Sequence, residues 1–241
     1  MKRIIPIVLS LFVVSCNNEK VDKDKTVSTD KIIQHHDYTN MVLYDTIQKE
    51  LVLDTLSNGE IADFPILYIG KIKDSIKLKR GDFDDYSYSY EEFARTQNHE
   101  ELPPPLNKYP YPYQKNQISI FIDTTKTVGF YEYDSPIGIK SYPVFIENLS
   151  QDTLYIANNG SLPMLTEMKS NSEDWKEIEK PFLLMCGVGI RHDFLPPNQI
   201  VITTLRQNYG TTKVKYRLKL KCFDKNFYSN EINGKFQTKL K

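Results

Sequence analysis

The sequence predicts an all-β protein built from antiparallel sheets, and three observations support that prediction. Tyr is unusually frequent, with 16 residues in a chain of 241, while Ala is scarce, and aromatic and β-branched residues favour strands. Short apolar runs recur between turn-forming residues along most of the chain. Residues 213–222 alternate apolar and basic side chains, which is typical of a strand with one buried and one wet face.

The first fifteen residues have the composition of a signal peptide, with Lys2 and Arg3 before an apolar stretch over 4–14. The segment Val13-Val14-Ser15-Cys16 resembles the lipobox of bacterial lipoproteins. The resemblance implies cleavage after residue 15 and acylation of the Cys16 thiol, and each buried acyl CH₂ contributes about 0.8 kcal/mol to membrane binding. The alternative is an ordinary secretory leader followed by an incidental cysteine.

Residues 16–40 are expected to form a lipidated start and a disordered tether, because they are polar and lack apolar periodicity. Asn17 follows the cysteine, and by resemblance to Gram-negative lipoproteins the lack of Asp there implies transit past the inner membrane. The high content of Lys, Asn, Ile and Tyr resembles exported lipoproteins of the Bacteroidetes group. These resemblances imply an exported protein that is lipid-anchored to the cell envelope at the outer membrane.

Residues 41–138 are predicted to hold several β strands and a long polar insertion at 80–115. Residues 66–70 and 75–79 have strand patterns and are joined around Lys73 and Asp74, and residues 117–123 begin as a clean alternation. The region could be a second small β domain, or it could add strands to one larger sandwich.

Residues 139–241 are predicted to form an immunoglobulin-like antiparallel sandwich, because about seven short strands follow one another at the spacing of such folds. Residues 142–146 and 152–156 read as a hairpin, and Pro143 suits an edge strand. Residues 200–204 follow a turn at 196–198.

Several segments of this half also resemble a C-terminal module found in exported lipoproteins of unassigned activity. The segments that carry the resemblance are Trp175, Cys186-Gly187, Leu195-Pro196-Pro197-Asn198, Lys215 to Leu220 and Tyr228 to Ile232. The resemblance covers roughly the last hundred residues. It implies a fold and assigns no activity.

Cys186 and Cys222 are the two cysteines left after Cys16. An exported protein meets an oxidising compartment, so a disulfide between them is one prediction. The alternative is a pair of buried thiols that act as small apolar side chains.

Tyrosine-rich stretches at 86–90 and 109–113 are the predicted partner or glycan surface. Flat aromatic faces with a polar tip suit contact with sugars and proteins, although the rings could simply cover a sheet. The candidate residues are Tyr86, Tyr88, Tyr90, Tyr109, Tyr111 and Tyr113.

The basic stripe at 213–221 could meet an anionic glycan or an acidic protein. We favour the interpretation that it is the wet face of a strand near a sheet edge, where lysines prevent aggregation.

Five Asp-Thr or Asp-Ser triplets resemble the O-glycosylation motif of exported Bacteroidetes proteins. The resemblance implies acceptors at Thr46, Thr55, Ser75, Thr124 and Thr153. The same triplet also suits the entry from a turn into a strand.

An acidic cluster lies at 82–92 and holds Asp82, Asp84, Asp85, Glu91 and Glu92. It starts like a calcium loop, but Ser87 stands where Gly is required and Phe93 where Glu is required. The four histidines, at positions 35, 36, 99 and 192, lack zinc spacing. We therefore predict no metal site and no cofactor.

The function expected from the sequence is that of a non-catalytic binding or envelope-structural module. Basic and acidic residues each number 31, so the large basic field that nucleic acid requires is absent, and hydrolase, kinase and nucleotide-binding motifs are missing. The expected partners are the membrane, through the anchor, and a protein or glycan. The alternatives are a glycan or peptide hydrolase using carboxylates in 82–92, and an inhibitor-like or immunity-like protein-binding module.

Overall fold

Alternating buried and exposed side chains organise the chain into strands, and the all-β prediction is confirmed. The computed structural model describes residues 36–45, 49–54, 60–78, 114, 116–131, 136–170, 174–181, 192–222 and 225–237. Within these ranges every regular element is a strand, and none is a helix that could cross a membrane. Residues 33–241 form one compact unit.

The strands are short, apart from two that span 11 residues each. They are β1 (Val42–Asp45), β2 (Leu51–Val52), β3 (Tyr68–Lys71), β4 (Ser75–Leu78), β5 (Ile118–Ile122), β6 (Val128–Phe130), β7 (Gly138–Asn148), β8 (Leu154–Asn158), β9 (Met164–Lys169), β10 (Lys176–Glu177), β11 (His192–Leu195), β12 (Gln199–Arg206), β13 (Thr212–Cys222), β14 (Lys225–Tyr228) and β15 (Ile232–Phe236).

Most of the strands belong to two sheets. Sheet A has six strands in the order β2-β7-β12-β3, with β5 and β6 both paired to β7. Sheet B has five strands in the order β10-β9-β13-β14, with β15 also paired to β13. Two smaller pairs complete the topology, β1 parallel to β4 and β8 antiparallel to β11. The region 41–138 thus adds strands to the same sheet as β7 and β12, and the immunoglobulin-like arrangement of 139–241 stays a prediction.

Sheet A is buried on both faces, as the continuous apolar sequence of β12 requires. Val201 and Leu205 join side chains of sheet B in the main core, whereas Ile200 and Ile202 point into a second apolar cluster. This second cluster also holds Ile76 of β4, so the β1–β4 pair covers the face of sheet A opposite to sheet B. The result is three stacked β layers.

Tyr38 is the first buried side chain among the described residues. Its side chain is only 2% exposed, and its ring stacks on Phe145 with 4.1 Å between centroids and 5° between planes. The Tyr38 hydroxyl donates to Glu147 Oε2 at 2.9 Å, and Lys126 Nζ donates to the Tyr38 carbonyl at 2.7 Å. Burial, with the Glu147 charge, raises the pKa of the Tyr38 hydroxyl. Tyr38 is thus already part of the fold, although the folded part was predicted to begin at residue 41.

The predicted strands at 66–70, 75–79, 117–123, 142–146, 152–156, 200–204 and 213–222 all overlap observed strands. Strands β3 and β4 are joined around Lys73 and Asp74 as predicted, and each pairs with a different strand, β3 with β12 and β4 with β1.

The predicted hairpin between 142–146 and 152–156 is wrong, because β8 pairs with β11. The buried Asn148 explains the redirection. Its Nδ2 donates to the carbonyls of Asp152 at 2.7 Å and Leu195 at 2.8 Å, and its Oδ1 accepts from the Ser150 amide at 2.9 Å. These bonds tie the link after β7 to the end of β11 and carry the chain away from sheet A.

The edge position predicted for Pro143 is also wrong, because β7 is a central strand. β5 pairs with β7 up to Val144, and β6 resumes the pairing at Ser141. Pro143 therefore lies where its side of β7 has no paired strand, and its carbonyl accepts from the Asp123 amide at 3.1 Å. A proline needs no partner for an N–H at this gap, so a central strand tolerates it.

Candidate anion-binding face

The alternating sequence of β13 gives sheet B an apolar inner face and a charged outer face. Val214, Tyr216, Leu218, Leu220 and Cys222 are all buried in the main core. The basic side chains in between point outward. Strand β13 lies inside the sheet, with β9 on one side and β14 and β15 on the other, so it is one strand from the sheet edge, in agreement with the expected position near an edge. The charged side chains on the adjacent strands determine which basic residues of the stripe are paired.

At one end of the outer face, each basic side chain of β13 lies beside a carboxylate, and we call this end the paired end. Arg217 Nε lies 2.7 Å from Glu167 Oε2, and Lys219 Nζ lies 2.8 Å from Glu177 Oε1. Lys221 Nζ reaches the same Glu177 oxygen at 3.3 Å. The hydrogen bond from Lys219 lowers the pKa of Glu177, and that bond in turn raises the pKa of Lys219. The paired end thus carries three cations and two carboxylates among the described residues.

Among the described residues, the other end carries four lysines and a single carboxylate, and we call it the cationic end. Its basic residues are Lys169, Lys213, Lys215 and Lys235. Lys215 lies directly opposite Lys169 across β13 and β9, and Lys213 lies directly opposite Lys235 across β13 and β15. Like charges directly opposite one another destabilise a sheet. Such an arrangement favours a surface that binds an anion over one that only keeps the sheet soluble.

Glu231 supplies the carboxylate of the cationic end. Its Oε2 lies 2.8 Å from Lys215 Nζ, and its Oε1 lies 3.5 Å from Lys169 Nζ. The hydrogen bond from Lys215 lowers the pKa of Glu231. Within the described residues, Lys213 and Lys235 form no ion pair. No described carboxylate therefore offsets the charge of the row formed by Lys213 and Lys235.

An open groove of about 360 Å³ lies over the cationic end. It is lined by Lys169, Lys213, Val214, Lys215 and Asn233. Small-molecule sites are usually enclosed and mainly apolar, so this open, basic groove suits contact with an extended partner better than enclosure of a small ligand. The groove combines three ammonium groups with one amide, so it can donate hydrogen bonds to an anion from several directions.

Trp175 marks the boundary between the two ends. Its ring lies 4.6 Å from Lys169 Nζ and 4.3 Å from the guanidinium carbon of Arg217, and that carbon is 4.2 Å from the ring of Tyr228. Both contacts to Trp175 lie within the range of cation–π attraction. An aromatic surface therefore adjoins the groove.

A second polar cluster lies buried at the end of β12. Arg206 Nε is 3.3 Å from Asp54 Oδ2, and Arg206 Nη2 is 3.8 Å from Glu179 Oε1. The Thr166 amide donates to Glu179 Oε2 at 2.8 Å, while burial raises the pKa of the Glu179 carboxyl. The cavity beside these groups measures about 10 Å³, which is about the space that one water needs. This cluster joins strands, and it has no room for a substrate.

Cys222 is a free thiol in the main core, and burial raises its pKa to about 12. Its predicted partner Cys186 lies outside the described residues, so the disulfide stays a prediction. Of the candidate glycosylation sites, Ser75 and Thr124 are exposed and Thr153 is half-buried.

The other predicted sites lie outside the described residues. They are Cys16, Thr46, Thr55, the acidic cluster at 82–92, and Tyr86, Tyr88, Tyr90, Tyr109, Tyr111 and Tyr113. Their roles stay predictions. In the part of the chain that the structure describes, no three His, Cys, Asp or Glu side chains are grouped to hold a metal ion.

The sequence interpretation placed the lysines of β13 correctly but missed their neighbours. Glu231, Lys235 and Trp175 belong to other strands or their flanks, and their register with β13 decides which lysines stay unpaired. A single sequence contains no signal for that register. Comparisons of the chain with family models, curated proteins and solved structures give no match.

Proposed function

We propose that this protein is an exported, non-catalytic binding module that holds a polyanionic partner on the cationic end of sheet B. The observation that carries the proposal is the direct opposition of Lys213 to Lys235 and of Lys169 to Lys215, where the one described carboxylate, Glu231, pairs with Lys169 and Lys215 only. A bound polyanion removes the repulsion that the free protein tolerates, so binding and charge neutralisation reinforce each other.

The groove supports binding of an extended partner. It is open, polar and lined by donors, and an aromatic ring adjoins it. The buried Glu179 carboxylate lines a cavity of only about 10 Å³, and Asp54 is not part of that lining, so these two carboxylates do not support hydrolysis of a glycan or peptide. The hydrolase hypothesis therefore depends on the carboxylates of 82–92.

Binding of dextran sulfate to the purified full chain tests the proposal, with uncharged dextran as the reference. The double variant Lys213→Gln/Lys215→Gln should weaken binding by at least about tenfold, a loss of about 1.4 kcal/mol. The matched control is Lys219→Gln/Lys221→Gln, which removes the same charge from the paired end of the same strand and should have a much smaller effect. Equal losses from both variants, or equal binding of uncharged dextran, would refute the proposal.

Attachment to the envelope through acyl chains on Cys16 forms part of the proposal. The lipobox resemblance at Val13-Val14-Ser15-Cys16 supports it. A Cys16→Ser variant should leave the membrane fraction and lose the mass of the lipid. A variant that stays with membranes in unchanged proportion would remove this part and leave the cationic end unaffected.

A further inference from the structure

The charge of the cationic end does not by itself distinguish one class of anion from another. The contacts of Glu231 indicate which acid group fits the lysines. The two oxygens of this carboxylate are divided between two ammonium groups, with Oε2 2.8 Å from Lys215 and Oε1 3.5 Å from Lys169. The two lysines lie directly opposite one another on neighbouring strands. Their spacing therefore fits a single carboxylate that bridges them with one oxygen each.

We propose that Glu231 occupies the place of an acid group of the ligand, and that the ligand is a uronic acid polysaccharide whose carboxylate displaces Glu231 from Lys169 and Lys215. This inference rests on the proposed function, because it names the ligand of the same surface. Glu231 acts as an internal competitor that keeps the two lysines paired while the groove is empty.

Displacement of Glu231 is energetically easy. Its side chain is 41% exposed, and the paired Lys215 side chain is 51% exposed. Exposed ion pairs contribute little free energy, because water screens the two charges. A polymer that makes several contacts at once exceeds that small free energy, since each further contact is made intramolecularly.

A second acid group of the same polymer has a place beside the first. Lys213 lies two residues from Lys215 on the same face of β13, a spacing of about 6.6 Å, and Lys235 faces Lys213 across the strand pair. These two ammonium groups form no ion pair with the described residues. Two adjacent rows of lysines suit a ligand with regularly repeated acid groups, one group for each row.

The surroundings favour a sugar chain over an acidic peptide. The Trp175 ring adjoins Lys169 at 4.6 Å, and flat aromatic faces with polar neighbours suit sugar rings. The Asn233 amide lines the groove among the lysines and can both donate to and accept from sugar hydroxyls. An acidic peptide would gain from the charge but would leave the ring and the amide unused.

Calorimetric titration of the full chain with polygalacturonate tests the inference, with poly-L-glutamate, dextran sulfate and phosphatidylglycerol vesicles as competing ligand classes. Glu231→Gln should raise the affinity for polygalacturonate about two- to fivefold, which corresponds to the loss of one exposed ion pair. Glu177→Gln makes the same change of charge at the paired end and should leave the affinity nearly unchanged.

Equal increases from Glu231→Gln and Glu177→Gln would overturn the inference, since they would show a general effect of charge. Tighter binding of poly-L-glutamate or of the vesicles than of polygalacturonate would also overturn it. If dextran sulfate binds through Lys213 and Lys215 while polygalacturonate does not bind, the inference fails and the proposed function stands. If no polyanion binds, both fail.

Discussion

Lys213 on β13 lies directly opposite Lys235 on β15, and neither ammonium group has a carboxylate partner among the described residues. Cross-strand pairs change sheet stability by about 0.2–1 kcal/mol, and like charges act in the unfavourable direction. We expect Lys213→Gln to raise the free energy of unfolding by up to about 1 kcal/mol in urea denaturation at low salt. The gain should shrink in 1 M salt, where the Debye length is about 3 Å.

Lys221→Gln is the matched control for this stability prediction. It removes a lysine from the same strand and face, but one that pairs with Glu177 at 3.3 Å. Its effect on unfolding should be near zero or slightly unfavourable. A loss of stability in Lys213→Gln, or a gain that ignores salt, would contradict the idea that the cationic end is under repulsion.

The single tryptophan of the chain reports on the cationic end. Trp175 is half-buried and lies against Lys169 and Arg217, so we expect a local excess of iodide at its ring. Lys169→Gln should lower the quenching constant for iodide and leave quenching by uncharged acrylamide unchanged. Lys221→Gln again serves as the control, and an equal fall in both variants would mean that quenching reflects overall charge alone.

Arg206 is expected to be one of the most sensitive positions for stability. Its guanidinium lies between the buried carboxylates of Asp54 and Glu179. A substitution that removes the guanidinium leaves both buried carboxylates without the Arg206 charge. Breaking a buried ion pair costs about 3–5 kcal/mol. Arg206→Met should lower the free energy of unfolding by about that amount in urea denaturation. Lys215→Met, which breaks an exposed pair, should cost no more than about 1 kcal/mol.

Glu179 should give the protein a component of stability that increases in mild acid. Burial raises the pKa of its carboxyl in the folded state, so the folded chain binds this proton more tightly than the unfolded chain does. The contribution is complete below the unfolded pKa, about 4.3, and is lost as pH rises through the folded pKa. The free energy of unfolding of the unaltered protein, minus that of Glu179→Gln, should therefore grow as pH falls from 7 toward about 5.

Glu231→Gln should show the opposite pH dependence of the free energy of unfolding in the same experiment. The hydrogen bond from Lys215 lowers the pKa of Glu231, so its contribution is present above the unfolded pKa and is lost as pH falls through the folded pKa. The free energy of unfolding of the unaltered protein, minus that of Glu231→Gln, should therefore stay constant or shrink as pH falls. A Glu179 difference that also shrinks would mean that its charged form is the more stable one in the fold.

Cys222 is expected to be unreactive in the native protein. Burial raises its pKa to about 12, and the thiolate is the reactive form. A thiol reagent should therefore label Cys222 only after denaturation, without any reductant. If the denatured, unreduced chain yields no thiol at Cys222, the bridge to Cys186 exists and the free thiol of the structure does not describe the oxidised protein.

Seven of the described strands could be predicted from the sequence, because each of them has a local apolar run or alternation. The alternation of 213–222 gave β13 with correct inner and outer faces. Partner strands carry no local signal, and for this reason the pairings of β3 and β8 were missed. The link after β7 depends on one buried amide, Asn148, whose bond to Leu195 spans 47 residues.

The candidate site shows the same limit more strongly. Its lysines on β13 were visible in the sequence, but the difference between the paired end and the cationic end comes from Glu167, Glu177 and Glu231 on other strands. One local signal was overlooked. Asn159-Gly160 is a strong turn sequence, and both residues have positive φ, at 49° and 71°.

The stack of Tyr38 on Phe145 lies on the side of the molecule remote from the lysines. Tyr38 belongs to the layer on one side of sheet A, whereas the lysines lie on the outer surface of sheet B, on the other side. A ligand bound to the lysines is therefore separated from the Tyr38 ring by both sheets.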